Sequence, residues 1–282
     1  MADHTVPALT MHHGLTIPQF GLGTYKVPPE EAQRVVEDGA EVGYRHFDTA
    51  QMYQNEKEVG LGLAASGLAR EDYFLTTKLN NSNHLPDDAR RSFDQSLTDL
   101  GVDYVDLFLI HWPLPTLYNG DFVSTWKVLE EFYADGRARS IGVSNFLEHH
   151  LQELFDHCDT VPMINQVESH PYLPMRELHE FHGQHAILTQ AWSPLARGNL
   201  VDDKTLTRIG QQYDKTASQV ALRWAIQRGD IVFPKSMQKQ RMIENLSIFD
   251  FELSDADMAT IFTLDMGENG RTGSHPNTMD RI

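Results

Sequence analysis

Asp48 and Tyr53 stand five residues apart at the end of an apolar run, and a carboxylate and a phenol at that spacing can build a Brønsted acid. Two further groups close later apolar runs: Lys78 follows Phe74-Leu75-Thr76-Thr77, and His111 follows Val105-Asp106-Leu107-Phe108-Leu109-Ile110. A phenol has an ordinary pKa of about 10, too high for an efficient acid at neutral pH unless a cationic or hydrogen-bonding neighbour stabilises its anion. Lys78 can supply that charge, and Asp48 would keep it protonated, because a buried ammonium without a partner tends to lose its proton. His111 can donate to the same oxygen and orient the molecule that carries it. If the four converge, they suit proton donation to a carbonyl.

Their convergence depends on the elements that carry them. Eight short apolar runs, rich in β-branched and aromatic residues, occupy 20–24, 46–49, 74–78, 105–111, 140–144, 164–169, 187–192 and 231–234. Amphipathic segments separate them, such as 86–100, with Phe93, Leu97 and Leu100 on one face, and 122–135, with Phe122, Trp126, Leu129 and Tyr133. Gly101 and Gly136 stop these two helices. Eight βα units without a composition break predict a single α/β domain over 1–282, a closed (β/α)8 TIM barrel. Its C-terminal strand ends share one mouth, and Asp48, Lys78 and His111 all fall there.

Gly21-Leu22-Gly23 lacks the third glycine and the helix start of a dinucleotide fingerprint, so it reads as close backbone packing. Residues 9–18 alternate around Gly14 and read as an N-terminal β-hairpin cap on the barrel floor. After the last strand, 237–246 and 254–263 read as two extra C-terminal helices, the second opened by a capping box at Ser254-Asp255-Ala256-Asp257. The tail 267–282 has no periodicity and is expected to fold over the barrel mouth as a mobile segment.

Bulk properties narrow the function. Lys+Arg 23 against Asp+Glu 40 gives a net charge of -17, which opposes binding to nucleic acid or to anionic membranes. Cys158 is the lone cysteine, so no internal disulfide forms, and the start of the chain has neither a basic nor an apolar leader region. These features predict a cytoplasmic protein, and with no apolar stripe left over outside the barrel, a monomer. The 14 His include His12-His13 and His149-His150, neither with the i, i+4 spacing of a helical metal pair, so no metal is expected.

In the segment 235–241, Lys235, Ser236 and Arg241 place two cations and a hydroxyl beside a helix start, a combination that can hold a dianionic phosphate. At this point the chain resembles the aldo-keto reductases. Residues 43–60, with Asp48, Tyr53, Glu56 and Gly60, match that family's first signature. The likeness runs on through Thr77-Lys78, His111-Trp112-Pro113, Ile141-Gly142-Val143-Ser144-Asn145-Phe146, Asn165-Gln166, Trp192-Ser193-Pro194-Leu195 and Phe233-Pro234-Lys235-Ser236, with Arg241, Glu244 and Asn245.

The resemblance implies NADPH-dependent reduction of a small-molecule carbonyl, with NADP+ as the oxidised product. Tyr53 is then the proton donor, Asp48 and Lys78 tune it, and His111 fixes the carbonyl. Ser144, Asn145 and Gln166 would grip the nicotinamide carboxamide and Trp192 would stack on its ring, with Ser193 and Leu195 beside them. Lys235, Ser236 and Arg241 would take the ribose 2′-phosphate, while Glu244 and Asn245 would meet the adenine. Tyr25-Lys26-Val27-Pro28 and the short loop after Trp112 resemble the prokaryotic 2,5-diketo-D-gluconate reductases, implying keto-sugar acids, 2-keto esters or methylglyoxal as substrates. Where many relatives carry a Trp after Lys78-Leu79, this chain has Asn80, so a roomier and more polar pocket is expected. Tyr25, Trp112 and the tail near His275-Pro276 are the other expected pocket walls. Two alternatives remain: a catalytically weak NADPH-binding sensor of the same fold, and a barrel aldolase forming a Schiff base on Lys78.

Overall fold

In the computed structural model, residues 6–282 are described. The hairpin pairs β1 (Ala8–Thr10) with β2 (Thr16–Pro18) in antiparallel register. Eight parallel strands follow: β3 (Leu22–Gly23), β4 (His46–Asp48), β5 (Phe74–Leu79), β6 (Leu107–Ile110), β7 (Ile141–Ser144), β8 (Ile164–Glu168), β9 (Leu188–Trp192) and β10 (Ile231–Val232). They hydrogen-bond in chain order, and a parallel bridge between Phe20 and Val232 joins the first edge to the last. The sheet is thereby a closed (β/α)8 barrel without a free edge.

Local sequence explains the short strands at the seam. Pro234 offers no donor and ends β10 early. Gly23 lets β3 approach its neighbour closely, since a Cβ there would sit 2.7 Å from the Phe233 carbonyl oxygen, as expected for a packing glycine. The helices are α1 (Pro29–Val42), α2 (Glu56–Ala65), α3 (Pro86–Leu100), α4 (Val123–Ala134), α5 (Glu148–His157), α6 (Arg176–Gln184), α7 (Lys204–Tyr213), α8 (Ala217–Gln227), α9 (Lys239–Leu246) and α10 (Asp255–Phe262). Proline opens α1 and α3, where its missing N–H costs nothing. Gly43, left-handed at φ 117°, ends α1 and turns the chain into β4. Phe93 of α3 stacks between Phe108 of β6 and Phe132 of α4 with ring centroids 4.3 Å away on each side.

The hairpin caps the floor as expected, with Met11 and Ile17 buried and His12 and His13 reaching the carbonyls of Val161 and Arg139, just before β8 and β7. Both helices after the last strand are present. However, α9 completes the eighth βα unit, so α10 is the supernumerary helix there, and a second one, α7, precedes α8. The capping box of α10 forms only in part: Ser254 accepts from the Asp257 N–H, but the Asp257 carboxylate takes the Ser254 hydroxyl, because Asp is too short to reach back to the backbone. The Ser254 N–H donates to the Tyr213 hydroxyl instead. Among the described residues no helix is long and apolar enough to cross a membrane.

Candidate active site

The strand ends bring Asp48, Tyr53, Lys78 and His111 together. Lys78 is fully buried and donates to Asp48 Oδ1 at 2.6 Å and to the Thr49 carbonyl at 2.8 Å, with the Tyr53 hydroxyl at 3.4 Å. Asp48 takes a further bond from Gln166 Nε2 at 2.8 Å, so the buried carboxylate is compensated on both oxygens. Tyr53 leaves β4 on a short helical turn, and its ring meets His111 at 5.8 Å and Tyr25 at 5.1 Å between centroids. Asn55 holds that turn: its side chain accepts from the Thr49 hydroxyl and donates to the carbonyls of Thr24 and Val27.

Electrostatically, burial pulls Asp48 up and Lys78 down, and each opposes the other's shift as an ion pair. Burial, with Asp48 and Tyr25, pushes the Tyr53 phenol well above its ordinary value. Lys78 was expected to lower it. With the ammonium spent on Asp48 and Thr49, dehydration wins and holds the proton on the phenol. Burial first, then Lys78 and His84, drive His111 far below its ordinary value, so it is neutral. Its Nδ1 is sealed without a partner, leaving the other ring nitrogen to reach a ligand. Lys78 does not line the cavity, which leaves a Schiff-base aldolase without access to its amine.

A cavity of about 760 Å³ opens above this group. Ser144, Asn145, Gln166, Trp192, Ser193 and Lys235 line it, whereas Leu195, Ser236, Arg241, Glu244 and Asn245 lie outside its wall. The polar carpet is pre-assembled. Asn145, held in the left-handed region at φ 65°, donates to the His111 carbonyl and the Ser144 hydroxyl and accepts from Trp192 Nε1 at 2.8 Å. Ser144 donates to the Gln166 carbonyl, and Gln166 donates to Asp48 and Gln190, so its side-chain oxygen is the group left over for a donor. Asn145 is therefore a brace for Trp192 and His111 more than a free hand.

Ser236 bonds around Gln238 at the start of α9, while Lys235 and Arg241 have no carboxylate partner among the described residues, despite the chain's charge of -17. Lys239 between them is tied to Asp38 and Glu41. Two unpaired cations at a helix start, continuous with the cavity through Lys235, fit a phosphate-bearing dinucleotide. Glu244 accepts from Thr216, and Asn245 is buried beside it.

At the other end, Tyr25, Asn80 and Trp112 line the cavity as expected. From the tail, the wall comprises Thr272, Gly273, Ser274, Met279, Arg281 and Ile282; His275 and Pro276 are not part of it, since His275 turns toward Glu268 and Pro276 is buried. The tail does cover the mouth, but hydrogen bonds tie it down. Two buried carboxyls escaped sequence reasoning in role. Glu56 accepts from Thr77 and Ser96, and its burial raises it to about 7. Glu168 accepts from the tail itself. A glutamate ending a wholly buried strand was the available signal.

A family model described as "Aldo/keto reductase family" matches residues 17–265. An "Aldo-keto reductase/" of Mycolicibacterium smegmatis is 47% identical over 274 residues, covering 97% of this chain and 98% of that protein. The "Glyoxal reductase" of Bacillus subtilis is 44% identical over 270 residues, covering 95% and 96%. Among solved structures, a mutant of Gox0644 in complex with NADPH superposes with a TM-score of 0.94 at 41% identity, over 98% of this chain and 100% of that one.

Proposed function

The chain belongs to the aldo/keto reductase family and is an NADP(H)-dependent oxidoreductase, and from that premise we propose that its cavity reduces small aldehydes and ketones with Tyr53 as proton donor. The observation that carries this reading is the buried Asp48–Lys78–Tyr53 chain facing His111 at the cavity floor. NADPH, when bound, supplies the hydride. Tyr53 and neutral His111 hold protons toward the carbonyl oxygen, and Tyr53 releases its own as that oxygen gains charge. Lys78 stabilises the phenolate left behind, and Asp48 keeps Lys78 charged.

The cavity also bears on the substrate. Lys26, Arg197, Lys235 and Arg281 line it, while Asp48, its one carboxylate side chain among the described residues, is matched by Lys78. A cationic cleft in a chain of net charge -17 favours carbonyl compounds that carry a carboxylate, such as keto-sugar acids, beside methylglyoxal and 2-keto esters. Loss of NADPH absorbance with a panel of these compounds, run beside NADH, tests the reading. No turnover with any of them would reject it.

Two variants probe its parts. Arg241→Ala should raise KM for NADPH by roughly 10- to 100-fold, the worth of one charge-assisted phosphate contact, with little change for NADH; equal effects on both cofactors would remove the 2′-phosphate role. Asn80 presents a buried Oδ1 without a partner at the cavity wall, so Asn80→Trp should shrink the pocket and lower kcat/KM for bulky ketones about tenfold relative to methylglyoxal. An unchanged ratio across the panel would show that Asn80 does not shape selectivity.

A further inference from the structure

We propose that Glu168 is a positioning residue that pins the C-terminal segment across the cavity mouth and, through Gly273, fixes the plane of the Trp192 ring. Glu168 ends β8 in register with Trp192 on β9, and its side chain is fully buried. Oε1 accepts from the Thr272 N–H at 2.7 Å, the Thr272 hydroxyl at 2.5 Å and His170 Nε2 at 3.2 Å. Oε2 accepts from the Gly273 N–H at 2.9 Å, with Arg271 Nη1 at 3.9 Å. A buried carboxylate persists only when so compensated, and all but one of these donors belong to the tail. Burial alone would raise this carboxyl; the bonds from His170, Thr272 and Gly273 outweigh it and hold it at about 2, so it stays charged through the neutral range.

The latch reaches both halves of the cavity. A Cβ on Gly273 would lie 2.3 Å from the Trp192 ring, so the tail backbone rests directly against it. Further along, Met279 packs on Trp112 and the Arg281 carbonyl accepts from Asn81. Releasing residues 272–273 would free the Trp192 side of the wall while the chemistry at Tyr53 stays intact. The inference rests on the cavity being the NADPH and carbonyl site.

The test compares full-length wild type, Glu168→Gln, Thr272→Ala and the double variant. Glu168→Gln places an amide donor against backbone N–H groups and should raise KM for methylglyoxal and Kd for NADPH about tenfold, with kcat within about threefold. Thr272→Ala, which removes the hydroxyl bond to Glu168 and keeps the backbone N–H bond, should shift the same constants less. The double variant should be no worse than Glu168→Gln alone, because both changes act on one contact. Limited proteolysis should cut the tail faster in Glu168→Gln than in wild type. Unchanged KM with unchanged proteolysis, or additive effects in the double variant, would overturn the proposal. Wild type that oxidises no NADPH, with proteolysis still accelerated by Glu168→Gln, would reject the functional reading and leave the latch standing.

Discussion

Replacing Tyr53 by Phe should lower kcat for carbonyl reduction by roughly 10²–10⁴-fold, the usual worth of a positioned general acid, while NADPH affinity stays within about twofold. The hydroxyl is the only group removed. The ring keeps its contacts with Tyr25 and His111, so the floor of the cavity is preserved. Lys78 loses its long 3.4 Å neighbour but retains Asp48 and the Thr49 carbonyl. Turnover followed by NADPH absorbance, beside a fluorescence titration of binding, separates the two effects. Unchanged kcat would assign the proton to another group, and a parallel loss of binding would make Tyr53 a packing residue.

Lys78→Met is expected to abolish turnover and to cost about 3–5 kcal/mol of stability at neutral pH, because it strands the fully buried Asp48 carboxylate without its cation. Adding Asp48→Asn should restore more than about 1 kcal/mol of that loss without restoring activity, as coupling between contacting residues requires. The pH dependence follows in sign. Burial raises Asp48 above its unfolded value, and without Lys78 only the Gln166 hydrogen bond opposes that rise. The folded variant then binds more protons than its unfolded chain, so its stability falls as pH rises. The gap to wild type should therefore be wider at pH 8 than at pH 5 in urea denaturation. A double variant no more stable than Lys78→Met would mean that the methionine packs badly and that charge is not the cause.

Much of this protein was determined by sequence alone. The eight apolar runs with helical segments between them called for parallel strands buried between helices, and eight such units without a break favoured a closed barrel over an open doubly wound sheet. The strand ends then named Asp48, Lys78 and His111, and the short turn after β4 named Tyr53, because a strand's last residue and the following loop are set by local chain geometry. The basic run Lys235 to Arg241 was legible for the same reason, as charges bunched beside a helix start.

What local pattern cannot encode is which groups compete for one another across the barrel. That Asn145 is spent on Trp192 and His111, that Gln166 spans to Asp48, and that Lys239 is claimed by Asp38 and Glu41 depend on contacts between segments far apart in the chain. The same holds for the Tyr53 phenol, whose proton is held by dehydration that exists only once the barrel has closed around it. The tail shows the limit most plainly. Residues 267–282 carry no periodicity, so sequence reasoning left them mobile, whereas Glu168, a hundred residues earlier, supplies the buried carboxylate on which their backbone N–H groups converge. Tertiary structure alone decided where that segment rests, because the energy that orders it lies in its partner and in no pattern of its own.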